Sequence, residues 1–371
     1  MRRTPAVWTA AACGLGLLLA ACGNNALPPS PASAPVAADA PRVGVILPET
    51  ATSARWAHVD QPVLEEELRE RGLEPIVQNA QGDAQKFAQI ADGMLSQRVR
   101  VLVIAAPSGD AGATVEQRAE QLGVPVIDYD RLSVGGSADY YVSFNHEEVG
   151  RLQARALADA LRDRPGAQVI EVGGSTTDHN AALVHRGQVE ELGPRYAAGD
   201  LRLVSSRFVE GWDNQAAGQV FEQLLTANGG RVDGVLAAND GLAASVITVL
   251  QKHGLAGSVP VTGQDMTVDG LRAILQGHQA ATVFKPIHTE AEVTAELAGA
   301  LVRGDRAAAD ALAGHRVRDP ATGREVKAVL LAPQLITRDD IRSVLGPGRV
   351  RAEDICRGEL AGACRQLGIA S

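Results

Sequence analysis

The stretch Gly234 to Gly241, GVLAANDG, constrains the fold more than any other. Its front half is a short apolar run bounded by Gly, which reads as a buried parallel strand. Asn239 and Asp240 then stand just before a helical pattern over Leu242 to His253. The same punctuation recurs at Asp128–Arg131, Gly173–Asn180, Gly263–Asp265 and Phe284–Lys285. In open α/β sheets that edge is where ligands bind. Five such edges predict two sheets whose carboxyl ends face one cleft.

The flanking pattern supports this. Strands are expected at Arg42–Glu49, Glu74–Val77, Val99–Ala106, Val124–Asp128 and Tyr140–Phe144, with helices between them. Asn145 caps a long helix, and a second run of the same kind starts at Gln168. Such runs imply parallel sheets with right-handed crossovers. At 371 residues and 45% hydrophobic, the chain is long enough for two cores. The fold class is therefore α/β, two doubly wound parallel-sheet lobes joined by a hinge of several segments. The first lobe is assigned to 42–145 and 286–320, the second to 146–285 and 321–371. Crossings are expected near Asn145, near Lys285 and between Asp319 and Leu331.

The N-terminus reads as an export signal: basic Arg2 and Arg3, an apolar run Ala6–Leu19, then Leu19-Ala-Ala-Cys22. This end resembles the lipobox of bacterial lipoproteins, which implies a signal peptide over 1–21 and lipidation at Cys22. An uncut membrane helix and plain secretion are the other readings. Residues 22–41, rich in Pro, Ala and Ser, read as a flexible tether. Losing Arg2 and Arg3 takes the formal charge from −9 to −11, and with no basic stripe nucleic acid is not expected as a partner. Cys356 and Cys364, eight apart, either form a disulfide, the preferred reading in an exported chain, or remain free thiols in a frayed tail.

Catalytic signatures are missing. There is no P-loop, no G-x-S-x-G and no H-E-x-x-H, and the eight His are scattered. No metal and no cofactor are expected. What is present suits a neutral polyol: planar Asp, Asn and Arg groups to match adjacent hydroxyls, and Trp to cover C–H faces. Of three Trp, one lies in the signal; Trp56 and Trp212 each stand at a loop-to-helix position among polar residues.

These residues resemble the periplasmic-binding-protein type I superfamily, and within it the D-xylose-binding proteins of ABC importers, from about Arg42 to Leu345. The resemblance rests on Ala54-Arg-Trp56, Tyr129-Asp-Arg131, Gly173-Gly-Ser175 with Asp178 and Asn180, Gly211-Trp212, Ala238-Asn-Asp240, Gly263-Gln-Asp265 and Phe284-Lys-Pro286. It implies that Arg55 and Arg131 bond sugar hydroxyls from the first lobe. Asp178, Asn180, Asn239 and Asp265 would do so from the second, and Lys285 from the hinge. Trp212 would stack on one sugar face and Trp56 close the other. His179 stands where the family usually carries Asn; lining the pocket, it would alter the sugar preference.

Simpler roles compete. Asn239 and Asp240 suit helix capping; Asp240 is assigned mainly to capping and Asn239 to ligand. Arg131 could be a surface ion pair with Asp128 or Asp130, and Trp212 a core residue. The resemblance implies a monomeric binding protein that captures a monosaccharide, most simply D-xylose or a related aldose. Its partners would be an ABC permease with its ATPase, and the membrane through a lipid anchor. Two other classes are a sugar-sensing receptor for chemotaxis or quorum signalling, and an exported enzyme using Asp178 with Asp265 as a carboxylate pair.

Overall fold

A computed structural model of the chain describes residues 39–346 and 350–369. The expected signal segment, Cys22 and most of the expected tether lie outside the described residues. The strands in chain order are β1 (Arg42–Leu47), β2 (Glu74–Asn79), β3 (Val101–Ile104), β4 (Val126–Tyr129), β5 (Tyr140–Phe144), β6 (Ala167–Gly173), β7 (Leu201–Phe208), β8 (Gly234–Ala237), β9 (Thr282–Phe284), β10 (His315–Arg318), β11 (Glu325–Leu331) and β12 (Gln334–Ile336).

Seven strands form the first sheet in the order β10-β11-β5-β4-β3-β1-β2, parallel except for β10. Its central runs are wholly apolar because both faces are covered: β3 is buried at every residue. One face packs on helices Gln61–Glu70 and Ile287–Val302, the other on Ala84–Ser96 and Gly109–Gln121. The second sheet has the order β7-β6-β8, all parallel. The segment Val259–Gly263 reaches it through one bridge, Val235 to Val261. β9 follows through Val283 N–H to Gly263 O and pairs antiparallel with β12.

The chain passes between elements of the two sheets at Asn145 and at Lys285–Pro286. The third crossing differs. The reading from sequence gave 321 onward to the second lobe, but β11 pairs with β5 from Lys327–Tyr140 to Leu331–Phe144 in the first sheet. Val326 and Ala328 are buried there, against an edge that would otherwise leave its backbone groups unpaired. The crossing therefore follows Leu331. The Asp319-Pro-Ala-Thr-Gly turn closes the β10–β11 hairpin, with Asp319 accepting from the N–H groups of Ala321 and Gly135.

The C-terminal segment adds a small module. Cys356 and Cys364 are disulfide-bonded with Cα atoms 5.8 Å apart. They pack with Ile355 and Leu360 on Leu271 and Ile274 of helix Val268–Gln276. That helix follows the loop carrying Asp265, so the stapled tail backs one wall of the cleft. Among the described residues, no helix is long and apolar enough to cross a membrane.

Candidate functional site

The strand ends and helix starts of both sheets converge on one cavity. Its wall contains all nine residues expected from the sequence: Arg55, Trp56, Arg131, Asp178, Asn180, Trp212, Asn239, Asp265 and Lys285. It also contains Glu49, Thr52, Ser53, Asp130, His146 and Gln264, which sequence reasoning missed.

On the first lobe, the chain leaves β1 and enters a wide helical turn, Trp56–Asp60, with π-type spacing. Arg55 lies at its start and is buried. Its guanidinium donates to Asp60 Oδ2 (Nε, 2.8 Å) and Oδ1 (Nη2, 2.6 Å), to Asp130 Oδ2 (Nη1, 2.8 Å) and to Glu290 Oε2 (Nη2, 2.9 Å). A guanidinium has five N–H groups, so one on Nη1 is left for a ligand. Arg55 is thus first an internal counter-ion, a larger role than the ligand contact expected of it. Burial lowers its pKa, but the three carboxylates outweigh that and raise it well above normal. Trp56 is buried beneath two cations, with the Arg55 and Arg131 guanidinium carbons 4.5 and 5.4 Å from its ring.

Asp130 is the hub. Its φ of 59° turns the chain sharply after β4. The carboxylate meets Arg55, accepts from Asn180 Nδ2 at 3.1 Å and lies 3.5 Å from Lys285 Nζ. Burial pushes its pKa up, yet Lys285 and Arg55 together hold it far below the carboxylate range. The surface ion pair weighed for Arg131 with Asp128 or Asp130 does not form. Arg131 is half-buried, donates to Ala106 O and lies with Nε 3.0 Å from Asp178 Oδ2 across the cleft. The two are close as charges, but Nε–H is not aligned to donate.

On the second lobe, Asp178 and Asn239 are both N-caps. Asp178 Oδ1 accepts from Asn180 N at 2.9 Å, and Asn239 Oδ1 from Leu242 N at 2.9 Å. Capping orients each side chain, and the other half faces the cavity. The roles weighed for Asn239 and Asp240 are therefore redistributed. Asn239 caps and lines the cavity, whereas Asp240 binds Thr267, Gln279 and Thr282 and holds the Asp265 loop in place. Burial raises the Asp240 pKa to about 6. Trp212 is buried, and its Nε1 donates to Asp178 Oδ2 at 3.1 Å. Its ring lies over Gly174, where a side chain would overlap it.

Lys285 enters at the crossing from β9, 3.1 Å from Asp265 Oδ1 and with Nζ 5.3 Å from the Phe144 ring. Burial would lower its pKa, but Asp130 and Asp265 raise it, so the hinge carries a fixed positive charge. His146, at the other crossing, is buried with Nε2 3.2 Å from Ser143 Oγ. Burial pushes its pKa down to about 3, so the imidazole is neutral. His179 does not line this cavity; it faces a separate groove beside Asn145 and Arg316.

Wall residues also hold buried polar atoms without a hydrogen-bond partner: Glu49 Oε1, Thr52 Oγ1, Trp56 Nε1, His146 Nδ1 and Gln264 Oε1, together with Arg131 Nε and Asp265 Oδ1, which face an opposite charge without an aligned hydrogen bond. Buried polar groups are normally satisfied, so this concentration marks a place built to bond something else. The side chains leave a cavity of about 30 Å³, room for water rather than a sugar ring. The wall groups meanwhile bond one another, and a ligand would exchange those bonds for its own. Among the described residues, no group of three His, Cys, Asp or Glu is arranged to hold a metal ion.

Known proteins carry the same plan. A family model for the periplasmic binding protein domain matches residues 43–306. The chain is 33% identical over 291 residues to the D-xylose-binding periplasmic protein of Escherichia coli, covering 78% of this chain and 85% of that protein. It is 34% identical over 286 residues to a multiple sugar-binding periplasmic receptor of Rhizobium radiobacter, covering 72% and 80%. An ABC transporter solute binding protein from Clostridium phytofermentans with bound β-D-glucose superimposes with a TM-score of 0.75 at 25% identity, covering 85% and 99%.

Proposed function

This chain belongs to the periplasmic binding protein family, type I, and on that premise we propose how it works and what it carries. It is an extracytoplasmic sugar-binding protein of the kind that serves ABC transporters, and not an enzyme. The sugar is D-xylose or a related aldose, held between the lobes and passed to a permease with its ATPase. The carrying observation is the wall itself. Carboxylates, amides and cations from both lobes and the hinge meet around two indoles, and several of their buried atoms lack partners.

The mechanism follows from those groups. Asp178, Asn180, Asn239 and Asp265 present acceptors and amides to adjacent hydroxyls, while Arg131, Lys285 and the spare N–H of Arg55 donate. Trp212 and Trp56 cover the C–H faces. Closure removes water, which strengthens each of these bonds. Because Lys285 and Asn145 stand at crossings, ligand contacts and lobe orientation are mechanically joined. Asp178 and Asp265 are tied to Arg131, Trp212 and Lys285, an arrangement suited to holding hydroxyls rather than to cleaving a glycosidic bond.

Cys22 carries the lipid anchor after removal of 1–21, and 22–41 tethers a monomeric body near the permease. Mass spectrometry of the membrane fraction tests the anchor, and a Cys22→Ser chain should be released. The Rhizobium radiobacter relative, a receptor, supports a second reading in which the loaded protein signals to a sensor. Titration calorimetry with a panel of pentoses and hexoses tests the sugar reading. Saturable one-to-one binding of a neutral aldose is expected; heat from none of them would refute it.

A further inference from the structure

Every cation in the cavity wall is already matched. Arg55 meets Asp60, Asp130 and Glu290, Arg131 meets Asp178, and Lys285 meets Asp130 and Asp265. The wall carboxylates are matched in return, with one exception. Asp130, Asp178 and Asp265 each face a cation, whereas Glu49 has no ion pair among the described residues.

Glu49 is nevertheless 8% exposed. Its Oε2 accepts from Thr52 N at 2.8 Å, which folds residues 49–52 into a turn at the mouth of the cavity. Its carbonyl accepts from Asn79 Nδ2 at 2.9 Å, which anchors it to the end of β2. The mouth is bridged to the second lobe by Asn214 Nδ2, 3.3 Å from Thr52 O. Glu49 is therefore fixed from two sides beneath the strap where the lobes touch. Its Oε1 is buried without any donor. A buried carboxylate oxygen in that condition is costly unless a donor reaches it.

On the reading of this cleft as a sugar site, we infer that Glu49 is a specificity-determining residue whose Oε1 accepts a hydrogen bond from one ligand hydroxyl. The site thereby selects sugars that present a donor at the mouth and disfavours those that lack it. A carboxylate placed there would meet like charge with no adjacent cation to offset it. The free acceptor Gln264 Oε1 on the same wall biases it the same way, toward ligands rich in hydroxyl donors.

The test pairs Glu49→Gln with monodeoxy sugars. Gln has one carboxamide oxygen where Glu has two acceptors, so with that oxygen on Thr52 N it turns an NH2 donor, not an acceptor, toward the ligand. Calorimetry on the mature protein would use its tightest neutral aldose and each monodeoxy analogue. Glu49→Gln is expected to weaken the aldose by about ten-fold or more, the loss of one charge-assisted bond. One deoxy analogue should bind variant and wild type alike. Equal losses for every analogue would assign Glu49 to shaping the turn alone, and affinities within about two-fold of wild type would remove it from recognition; either overturns the inference. Glu49→Asp, which keeps the charge on a shorter arm, gives the same comparison should the Gln variant not fold. Absence of wild-type binding to any neutral aldose would sink the sugar reading itself, a result distinct from both.

Discussion

Arg131 and Asp178 face each other from opposite lobes, with Nε 3.0 Å from Oδ2. The same Asp178 oxygen takes the Trp212 indole N–H at 3.1 Å. One carboxylate thus orients the indole of its own lobe and meets a cation of the other. Asp178→Asn should weaken sugar binding by about 2 kcal/mol, the range for a charge-assisted bond. Calorimetry measures it, and wild-type affinity would exclude Asp178 from the site.

Arg55 balances three buried carboxylates, one of them 235 residues away in sequence. Breaking such a network by removing one partner costs roughly 3–5 kcal/mol. Arg55→Met is expected to lose that much stability in urea unfolding, in addition to any loss of sugar. A loss below about 1 kcal/mol, the level of a surface pair, would mean that the network is not a structural element.

The indole of Trp212 is placed by what lies beneath it. A Cβ at Gly174 would stand 2.2 Å from the ring, so Gly174→Ala must displace it. Overpacking of this kind costs about 1–3 kcal/mol, and sugar affinity is expected to fall with little change in circular dichroism. Unchanged binding would show that the indole is not a stacking surface.

Much of this site was legible in the chain. The strand-end pattern marks the edges that carry Asn239, Asp178 and Asp265, the family resemblance assigns those residues to the ligand, and the structure has them on one wall. Trp56 and Trp212 stood out by scarcity. Glu290, Asp60 and Asp130 did not, because their meaning lies in meeting Arg55, and no local pattern encodes a contact across 235 residues. Glu290 looks like any acidic residue near a helix start, yet it is fully buried. The same limit explains β11. Only the free edge of β5 decides which sheet it joins.

His146 makes stability depend on pH. Folded, burial holds its pKa at about 3, against 6.5 for the ordinary side chain. The unfolded chain therefore takes up the proton first. The contribution of neutral His146 is complete above the ordinary value and is lost as pH falls toward 3, amounting to about 3 kcal/mol by about pH 4. His146→Gln is expected to flatten that part of the stability profile in urea titrations from neutral pH to about pH 4. Parallel profiles for variant and wild type would contradict the assignment.

The most direct test of the central claim is a crystal structure of the mature protein grown with the aldose it binds most tightly. The expected density is one sugar ring between Trp56 and Trp212, its hydroxyls bonded to Asp178, Asn180, Asn239, Asp265 and Lys285 across the cleft. A sugar bound anywhere else, with those side chains still bonded to one another, would contradict the account.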